Sequence, residues 1–414
     1  MLAVVAFVLL VYLYSLISRR LEGTILAIPL VFTVAGTVLA LVAPGLVRRD
    51  VASPAWLILA EITYTIVLLN GATRVNLRVL GGQMQLPGRL LLIGLPLTIL
   101  CGMLAAAIVL PDLSLWEAGA LACILASTDT GLAELTVNSR RVPACIREAL
   151  NAESGLSDGL VVPGLMLFIS LIKADAAGPG PAGVFLRSAV QQIGFAIPLG
   201  AAIGFVGGWL LGLARRRSWA SPPFQQIAMI SLAPLCLILA KSIDTSPFIA
   251  AFAAGLALPV GFRDASEGIV EFSDNEGRLL NMVVFFLFGM SAGSALGEFY
   301  LAPVLYAILS LTLVRMLPVA ISMVGTRLSA ASVLFMSWFG PRGLASIVLG
   351  LVAAEEVEAA GASLVRLGLI ATVLLSIFAH GLSASPGIRF YARQLSRLGA
   401  DAPEYGVVSG MPTT

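Results

Sequence analysis

The chain has 414 residues, of which 58% are hydrophobic and 12% are charged, and its mean hydropathy is +0.97. Soluble domains carry about 25% charged residues, so this composition excludes a soluble enzyme and indicates a chain embedded in a lipid bilayer. The net charge of +2 gives no sign of a nucleic-acid partner. The longest polar stretches, residues 262–278 and those after residue 384, are too short for a nucleotide-binding or protease domain.

Apolar stretches of about 20 residues, the length that crosses a bilayer core, recur along the whole chain. They predict an all-α polytopic membrane protein with about thirteen transmembrane segments. The first has no basic n-region and no small-residue cleavage site, so we expect a retained helix. In chain order the segments are residues 2–18, 24–43, 54–72, 90–110, 115–136, 146–172, 185–214, 224–241, 245–261, 279–297, 300–323, 328–353 and 362–383.

The positive charges between the segments predict their orientation. Seventeen of the 25 Lys and Arg residues lie in the odd-numbered loops and the C-terminal tail, and six lie in the even-numbered loops. Since cytoplasmic loops carry the excess of Lys and Arg, we expect the N-terminus outside and the C-terminus in the cytoplasm.

Thirteen segments divide into six, one linker and six, and two six-helix units separated by one crossing helix lie upside down relative to each other. The fifth segment of each unit is interrupted, at residues 127–131 and at residues 340–343. Matched broken helices predict a binding site near the bilayer midplane, where Asp129 and Arg342 can neutralise the partial charges of half-helix ends. The expected domains are a first inverted repeat over residues 1–172 with its core motifs in 115–172, a linker helix over 185–214, a second inverted repeat over 224–384 and a short cytoplasmic tail over 385–414.

Ionisable residues inside the segments require a partner or a function, because a charge at the bilayer centre costs at least about 2.5–3.5 kcal/mol. At about 100° per residue, Ser154 and Asp158 of the sixth segment share a face, whereas Glu153 lies about 140° from Asp158. We therefore expect Glu153 to pair with a different helix, through Arg342. The remaining intramembrane charges, which we expect to be satisfied locally or to snorkel to an interface, are Glu61 and Arg315.

Asp158 is the predicted transport site. Oxygen ligands from a carboxylate and hydroxyls suit a hard alkali cation, and the same carboxylate can bind a proton instead. Competition between the two predicts exchange of one cation for one proton, without net movement of charge. Two plainer roles stay open at this point, an interhelical hydrogen bond for Asp158 and helix-end neutralisation without ion contact for Asp129.

Two other classes of protein are compatible with the hydropathy. An organic-solute/sodium symporter on a related broken-helix fold needs a roomier site than small hydroxyls and one acid supply. An intramembrane protease needs Ser/His or paired-Asp chemistry, and His380 is the only histidine of the chain. Cation/proton exchange is therefore the favoured interpretation, with no enzymatic activity and no cofactor expected.

Four ordered strings resemble the bacterial NhaP-type sodium/proton antiporters of the monovalent cation:proton antiporter family, over segments three to thirteen. They are Ser127-Thr128-Asp129, the run from Asn151 to Gly159, the run from Phe285 to Gly289, and Gly340-Pro341-Arg342-Gly343. The resemblance implies a bacterial inner-membrane protein that forms a homodimer. It also implies a dimerisation half, a mobile core half and elevator-like alternating access, with Na⁺ as the expected cation and Li⁺ or K⁺ as alternatives.

The resemblance further implies that Thr128, Ser154 and Asp158 coordinate the transported ion. It agrees with the facing argument that pairs Glu153 with Arg342.

Two positions depart from the family pattern. Ser157 stands where an Asn usually precedes the transport Asp, and Asn70 stands where many members have an ion-binding Glu. A serine is too short to make the amide bridge to the broken helix, so we expect water or different packing there. Ser157, Asn70 and Asp129 complete the predicted set of ion-binding positions.

Overall fold

The computed structural model of the chain describes residues 2–21, 27–44, 54–73, 85–177, 190–262, 267–356, 361–398 and 402–405. In this part of the chain, nine helices are long and apolar enough to cross a membrane, and three further apolar helices are shorter. In chain order the helices are α1 Leu2–Leu21, α2 Ile28–Val42, α3 Pro54–Thr73, α4 Leu86–Val109, the half-helices α5a Leu115–Ile124 and α5b Thr130–Val137, α6 Ala144–Ala177, α7 Val190–Arg216, α8 Pro222–Ser242, α9 Pro247–Gly261, α10 Glu267–Ala295, α11 Leu301–Ser322, the half-helices α12a Ala330–Trp338 and α12b Leu344–Glu356, and α13 Ala362–Leu395.

Each predicted segment corresponds to one of these helices or to one pair of half-helices, which confirms the fold class. The fifth and twelfth segments are both broken, as predicted. The division into inverted repeats stays a prediction.

The two helices that differ most from prediction are α10 and α13. Helix α10 begins at Glu267, about three turns before the predicted start, and α13 continues to Leu395 through residues predicted to be tail. A hydropathy window ends where polar residues begin, whereas a helix can continue through them. In α13 the extension is held by an apolar stripe, since Ile388, Tyr391 and Leu395 are buried.

The helices pack as two groups. In the first, which we call the scaffold group, α2 packs on α10, and α7, α8 and α3 pack on α9. Glycine permits two very close approaches here, because a Cβ on Gly36 would lie 2.0 Å from the carbonyl oxygen of Phe286, and a Cβ on Gly200 would lie 2.0 Å from that of Ala250. The second, which we call the crossing group, comprises α4, α5a, α5b, α6, α11, α12a, α12b and α13.

Helix α6 belongs to the crossing group and also touches the scaffold. It packs against α5a and α5b on one side, and against α3 and α9 on the other. A Cβ added to Gly71 of α3 would lie 3.6 Å from the carbonyl oxygen of Gly155 in α6. The helix that carries the predicted transport site therefore lies at the boundary between the two groups.

The short turn Pro403–Tyr405 docks against the crossing group. Glu404 is 2% exposed and accepts hydrogen bonds from the Ser329 backbone N–H at 2.8 Å and the Ser332 hydroxyl at 2.7 Å. The Cys145 thiol of α6 donates to the Glu404 carbonyl at 3.2 Å. Burial alone would raise the pKa of Glu404, but the hydrogen bonds from Ser329 and Ser332 outweigh it and hold that pKa below its usual value. The carboxylate thus caps the N-terminus of α12a from outside the helix.

Candidate ion-binding site

The two broken segments meet through their backbones. The unwound stretch between α5a and α5b passes the stretch between α12a and α12b, and the Asp129 N–H donates to the carbonyl of Pro341 at 2.8 Å. Four half-helix ends therefore converge at one place. Each end has backbone groups without partners in its own helix, and the surrounding side chains satisfy many of them.

The Asp129 carboxylate accepts hydrogen bonds at the N-terminal, positive ends of two half-helices. Its Oδ1 accepts from the Leu132 N–H at 2.9 Å, which caps α5b, and its Oδ2 accepts from the Leu344 N–H at 2.5 Å, at the start of α12b. Gly343 makes room for this, because a Cβ there would lie 2.3 Å from Oδ2. Both carboxylate oxygens are engaged, so the geometry favours helix-end neutralisation over ion contact, a role that the sequence left open.

Arg342 satisfies a negative end. Its Nη1 donates to the carbonyl of Ala126 and, at 2.9 Å, to the carbonyl of Ser127, just after α5a. Its backbone N–H donates to the Ser376 hydroxyl of α13 at 2.6 Å. The guanidinium is fully buried. Arg342 therefore holds the crossing together, as its position in the break predicted.

The predicted pair of Glu153 with Arg342 is wrong. Glu153 instead makes a bidentate ion pair with Arg315 of α11, at 2.5 and 2.8 Å, and their side chains are 4% and 2% exposed. Arg342 is committed to carbonyl groups, whereas Arg315 lies just after a break in α11 at Thr312. The expectation that Arg315 is satisfied locally or snorkels is wrong as well.

A cluster of hydroxyl groups lies beside Asp158. The Ser127 hydroxyl donates to Asp158 Oδ1, and the Thr128 hydroxyl donates to Ser154 Oγ at 3.2 Å. The Ser157 hydroxyl lies 3.3 Å from Thr128 Oγ1 and accepts from the Thr128 N–H at 3.3 Å. The structure thus brings Thr128, Ser154, Ser157 and Asp158 together.

Two outcomes differ from the sequence analysis at this cluster. Ser157 reaches the broken helix directly, so the expected water or altered packing is not needed to link the two. Ser127 was missing from the predicted set, although its hydroxyl contacts Asp158 directly. The available signal was its position beside Thr128 in the unwound stretch, where the helix pattern no longer dictates which way a side chain points.

Asn70 is buried on α3, next to Gly71, whose backbone meets Gly155 of α6. It therefore lies on the scaffold side of the boundary near the hydroxyl cluster. An ion-binding role for Asn70 stays a prediction.

The other buried carboxylates of the described residues are all engaged by a cation or by backbone N–H groups. Glu61 pairs with Lys241 of α8 at 2.6 Å, a partner from another helix that the sequence analysis did not name. Glu117 accepts from the backbone N–H groups of Ser114 and Gly361 at 2.7 and 2.8 Å. Asp129, Glu153 and Glu404 are engaged as described above.

Asp158 differs from all of these. It is half-buried, its carboxylate accepts one hydroxyl hydrogen bond, and it takes part in none of the ion pairs found among the described residues. The remaining acceptor sites of its carboxylate are available to a ligand. Asn151, on the same face of α6 about 10 Å toward the start of the helix, is exposed.

The donor set favours a hard cation. One carboxylate and several hydroxyl oxygens suit an alkali ion, whereas transition metals prefer imidazole and thiolate ligands. The described residues contain no group of three or more His, Cys, Asp or Glu side chains that could hold a metal ion. The arrangement offers oxygen donors of the kind that suit a monovalent cation, and a carboxylate that can take a proton instead.

Comparison with known proteins agrees with this geometry. The family model described as sodium/hydrogen exchanger, transmembrane, matches residues 5–389. A probable Na⁺/H⁺ antiporter of Schizosaccharomyces pombe is 26% identical over 60% of this chain and 34% of its own length. The K⁺/H⁺ antiporter NhaP of Alkalimonas amylolytica is 26% identical over 81% of this chain and 57% of its own length. The matched region thus spans about a third to somewhat over half of these two relatives.

The fold is similar to that of a solved antiporter. The structure of the sodium proton antiporter MjNhaP1 from Methanocaldococcus jannaschii at pH 8 matches with a TM-score of 0.73 and 19% identity, over 96% of this chain and 99% of that one. An electron-microscopy structure of the same protein gives a TM-score of 0.74 at 20% identity. The symporter alternative finds no support among these matches.

Proposed function

The chain belongs to the sodium/hydrogen exchanger family, and from that premise we propose that it exchanges a monovalent alkali cation for a proton, with both ions competing for Asp158. Na⁺ is the proposed cation, and Li⁺ and K⁺ are the alternatives. The observation that carries the proposal is that the Asp158 carboxylate has no ion pair among the described residues, while the buried carboxylates around it are engaged by cations or backbone N–H groups.

The charges near the point where the two broken segments meet support exchange of one cation for one proton. Three carboxylates lie there, on Asp129, Glu153 and Asp158, against two guanidinium groups, on Arg315 and Arg342. One negative charge is left over, and one monovalent cation or one proton on Asp158 cancels it. Net charge is costly in a medium of low dielectric constant. The site is neutral with either the cation or the proton bound, so it can move through the membrane in both forms. The cycle then carries no net charge.

The proposed ligands of the cation are Asp158 and the hydroxyl cluster. Thr128 and Ser154 are the hydroxyl ligands that the family resemblance implies, and Ser127 is added from its contact to Asp158. Ser157 acts through Thr128, which it holds by two contacts, and Asn70 contributes from the scaffold side.

We propose an elevator-like cycle in which the crossing group moves against a scaffold group that forms a homodimer. The proposed inverted repeats cover residues 1–172 and 224–384 around the linker at 185–214. The distribution of Lys and Arg supports an inner-membrane orientation with the N-terminus outside. In that orientation the exposed Asn151 side of the site faces the cytoplasm.

The proposal is tested in proteoliposomes that contain the full chain and a pH dye. Addition of Na⁺, Li⁺ or K⁺ should move protons, and acidification should raise the apparent KM for the cation without lowering the maximal rate. Asp158→Asn should reduce exchange to the level of empty liposomes. The control is Asp175→Asn, which changes an exposed carboxylate about 25 Å further along the same helix and should exchange normally.

Undiminished exchange in Asp158→Asn would rule out this site. The same liposomes test the stoichiometry when valinomycin and K⁺ set the membrane potential. For a one-to-one cycle the initial rate of Na⁺ exchange should be independent of that potential, whereas a steep dependence would mean that more than one proton moves per cation.

A further inference from the structure

Tyr64 of α3 makes a hydrogen bond to the backbone of the transport site. It is fully buried, and its hydroxyl donates to the carbonyl oxygen of Asp158 at 3.0 Å. Its ring packs against Phe248 of α9, with the centroids 5.2 Å apart. Tyr64 and Phe248 belong to the scaffold group and Asp158 belongs to the crossing group, so this bond crosses the boundary between them.

The stretch of α6 around Asp158 lacks one backbone hydrogen bond of a regular helix. Pro163 lies inside the helix and has no N–H, so the carbonyl of Gly159 loses its partner one turn on. Gly155 and Gly159, on either side of Asp158, weaken helix propensity further. A hydrogen bond from outside the helix therefore has more influence on the position of this stretch than it would have in a regular helix.

The same glycines let the scaffold reach the site. A Cβ on Gly159 would lie 2.3 Å from the ring of Phe252 in α9, so this aromatic side chain covers the helix just beyond Asp158. On the other side of the site, Asn151 is exposed. Asp158 therefore lies between a stretch of α6 that the scaffold covers and an exposed position nearer the start of the helix, and Tyr64 holds it to the scaffold.

We propose that Tyr64 is a positioning residue that fastens the Asp158 stretch of α6 to the scaffold in the access state that opens toward Asn151. This inference deepens the proposed exchange at Asp158 and rests on it. When the crossing group moves against the scaffold, the bond from Tyr64 to Asp158 has to break. Its strength therefore sets how much of the protein occupies this state and how well the carboxylate is placed for the cation.

The test is Tyr64→Phe, which removes the hydroxyl and keeps the ring. The apparent KM for Na⁺ should rise about fivefold, the factor that corresponds to one neutral hydrogen bond of about 1 kcal/mol. The matched control is Tyr306→Phe in α11, since Tyr306 is equally buried but its hydroxyl has no hydrogen-bond partner among the described residues. That variant should keep the wild-type KM.

A second readout follows the access state directly. In a chain without the four native cysteines, Asn151→Cys should react with a membrane-impermeant thiol reagent from the open side. Adding Tyr64→Phe should lower the labelled fraction of folded protein, by up to about fivefold. Placing 3-fluorotyrosine at position 64, which donates more strongly, should raise it even if Tyr64→Phe folds poorly.

An unchanged KM and unchanged labelling in the Tyr64 variants would overturn the inference, and so would an equal rise of KM in Tyr306→Phe. Either result is distinguishable from failure of the proposed function. If Asp158→Asn abolishes exchange while the Tyr64 variants behave as wild type, only the positioning role is lost. If Asp158→Asn still exchanges, the proposed site itself is wrong.

Discussion

Two faces of α6 carry one carboxylate each, and the two carboxylates have different kinds of partner. On one face Glu153 is clamped by both terminal nitrogens of Arg315. On the other, about 140° around the helix, Asp158 receives one hydroxyl from Ser127. The residues are chemically similar and five positions apart, so the difference comes from their partners. A carboxylate with a permanent counter-ion fixes structure, and one without it is free to take an ion.

The largest effect is expected when one partner of the ion pair between Glu153 and Arg315 is removed. Arg315→Gln should leave Glu153 buried and uncompensated, which costs about 3–5 kcal/mol of stability. The thermal midpoint in detergent should fall by many degrees and little folded protein should be recovered. The double variant Glu153→Gln with Arg315→Gln should recover much of the loss.

The control is the ion pair of Lys173 with Glu356, whose two side chains are each 49% exposed. Breaking an exposed pair changes stability by about 0–1 kcal/mol. A similar, small effect at both pairs would contradict the structural role assigned to Glu153 and Arg315.

A second test of the comparison removes the hydrogen bond from the Ser127 hydroxyl to Asp158. Ser127→Ala should raise the apparent KM for Na⁺ by about tenfold or more, since a hydrogen bond to a charged group contributes about 1.5–3 kcal/mol. Stability should change little, because Asp158 is not part of the structural pair. Ser170→Ala is the control, as its hydroxyl bonds to a carbonyl of its own helix. Equal KM values in the two variants would remove Ser127 from the site.

The smallest effect is expected at Glu404, which should alter stability but not the chemistry at Asp158. Glu404→Gln should lower stability by about 1 kcal/mol and leave the KM for Na⁺ unchanged. Because its pKa in the folded protein is below the ordinary value of 4.5, its contribution is complete above that value and is lost as the pH falls through the lowered pKa.

The difference between wild type and Glu404→Gln should therefore be constant from about pH 6 to 8 and shrink in acid. Melting curves of both proteins, recorded from acid pH up to about pH 8, test it. A difference that grows on acidification would contradict the assigned bonds.

Most of the fold was predictable because lipid imposes a regular pattern on the sequence. Twenty-residue apolar windows located all thirteen segments within the described residues, and Gly and Pro marked the breaks at Asp129 and Arg342. Windows of this kind cannot detect helix beyond the bilayer. The early start of α10 and the late end of α13 were missed for that reason.

The partners at the site were less predictable, since helical periodicity fixes which way a residue faces but not what it meets. It correctly separated the faces of Glu153 and Asp158. The choice between Arg342 and Arg315 depended on the break at Thr312, which has no glycine or proline beside it. The contact of Ser127 was hidden for a similar reason, because no periodic rule applies to unwound backbone.

The docked turn at Pro403–Tyr405 has a mechanical consequence. Its bonds reach Cys145 of α6 and Ser329 and Ser332 at the start of α12a, all within the group proposed to move. In the proposed cycle the turn would then move with the crossing group and not with the scaffold group. A probe attached to this turn would then be displaced against the scaffold group at each turnover.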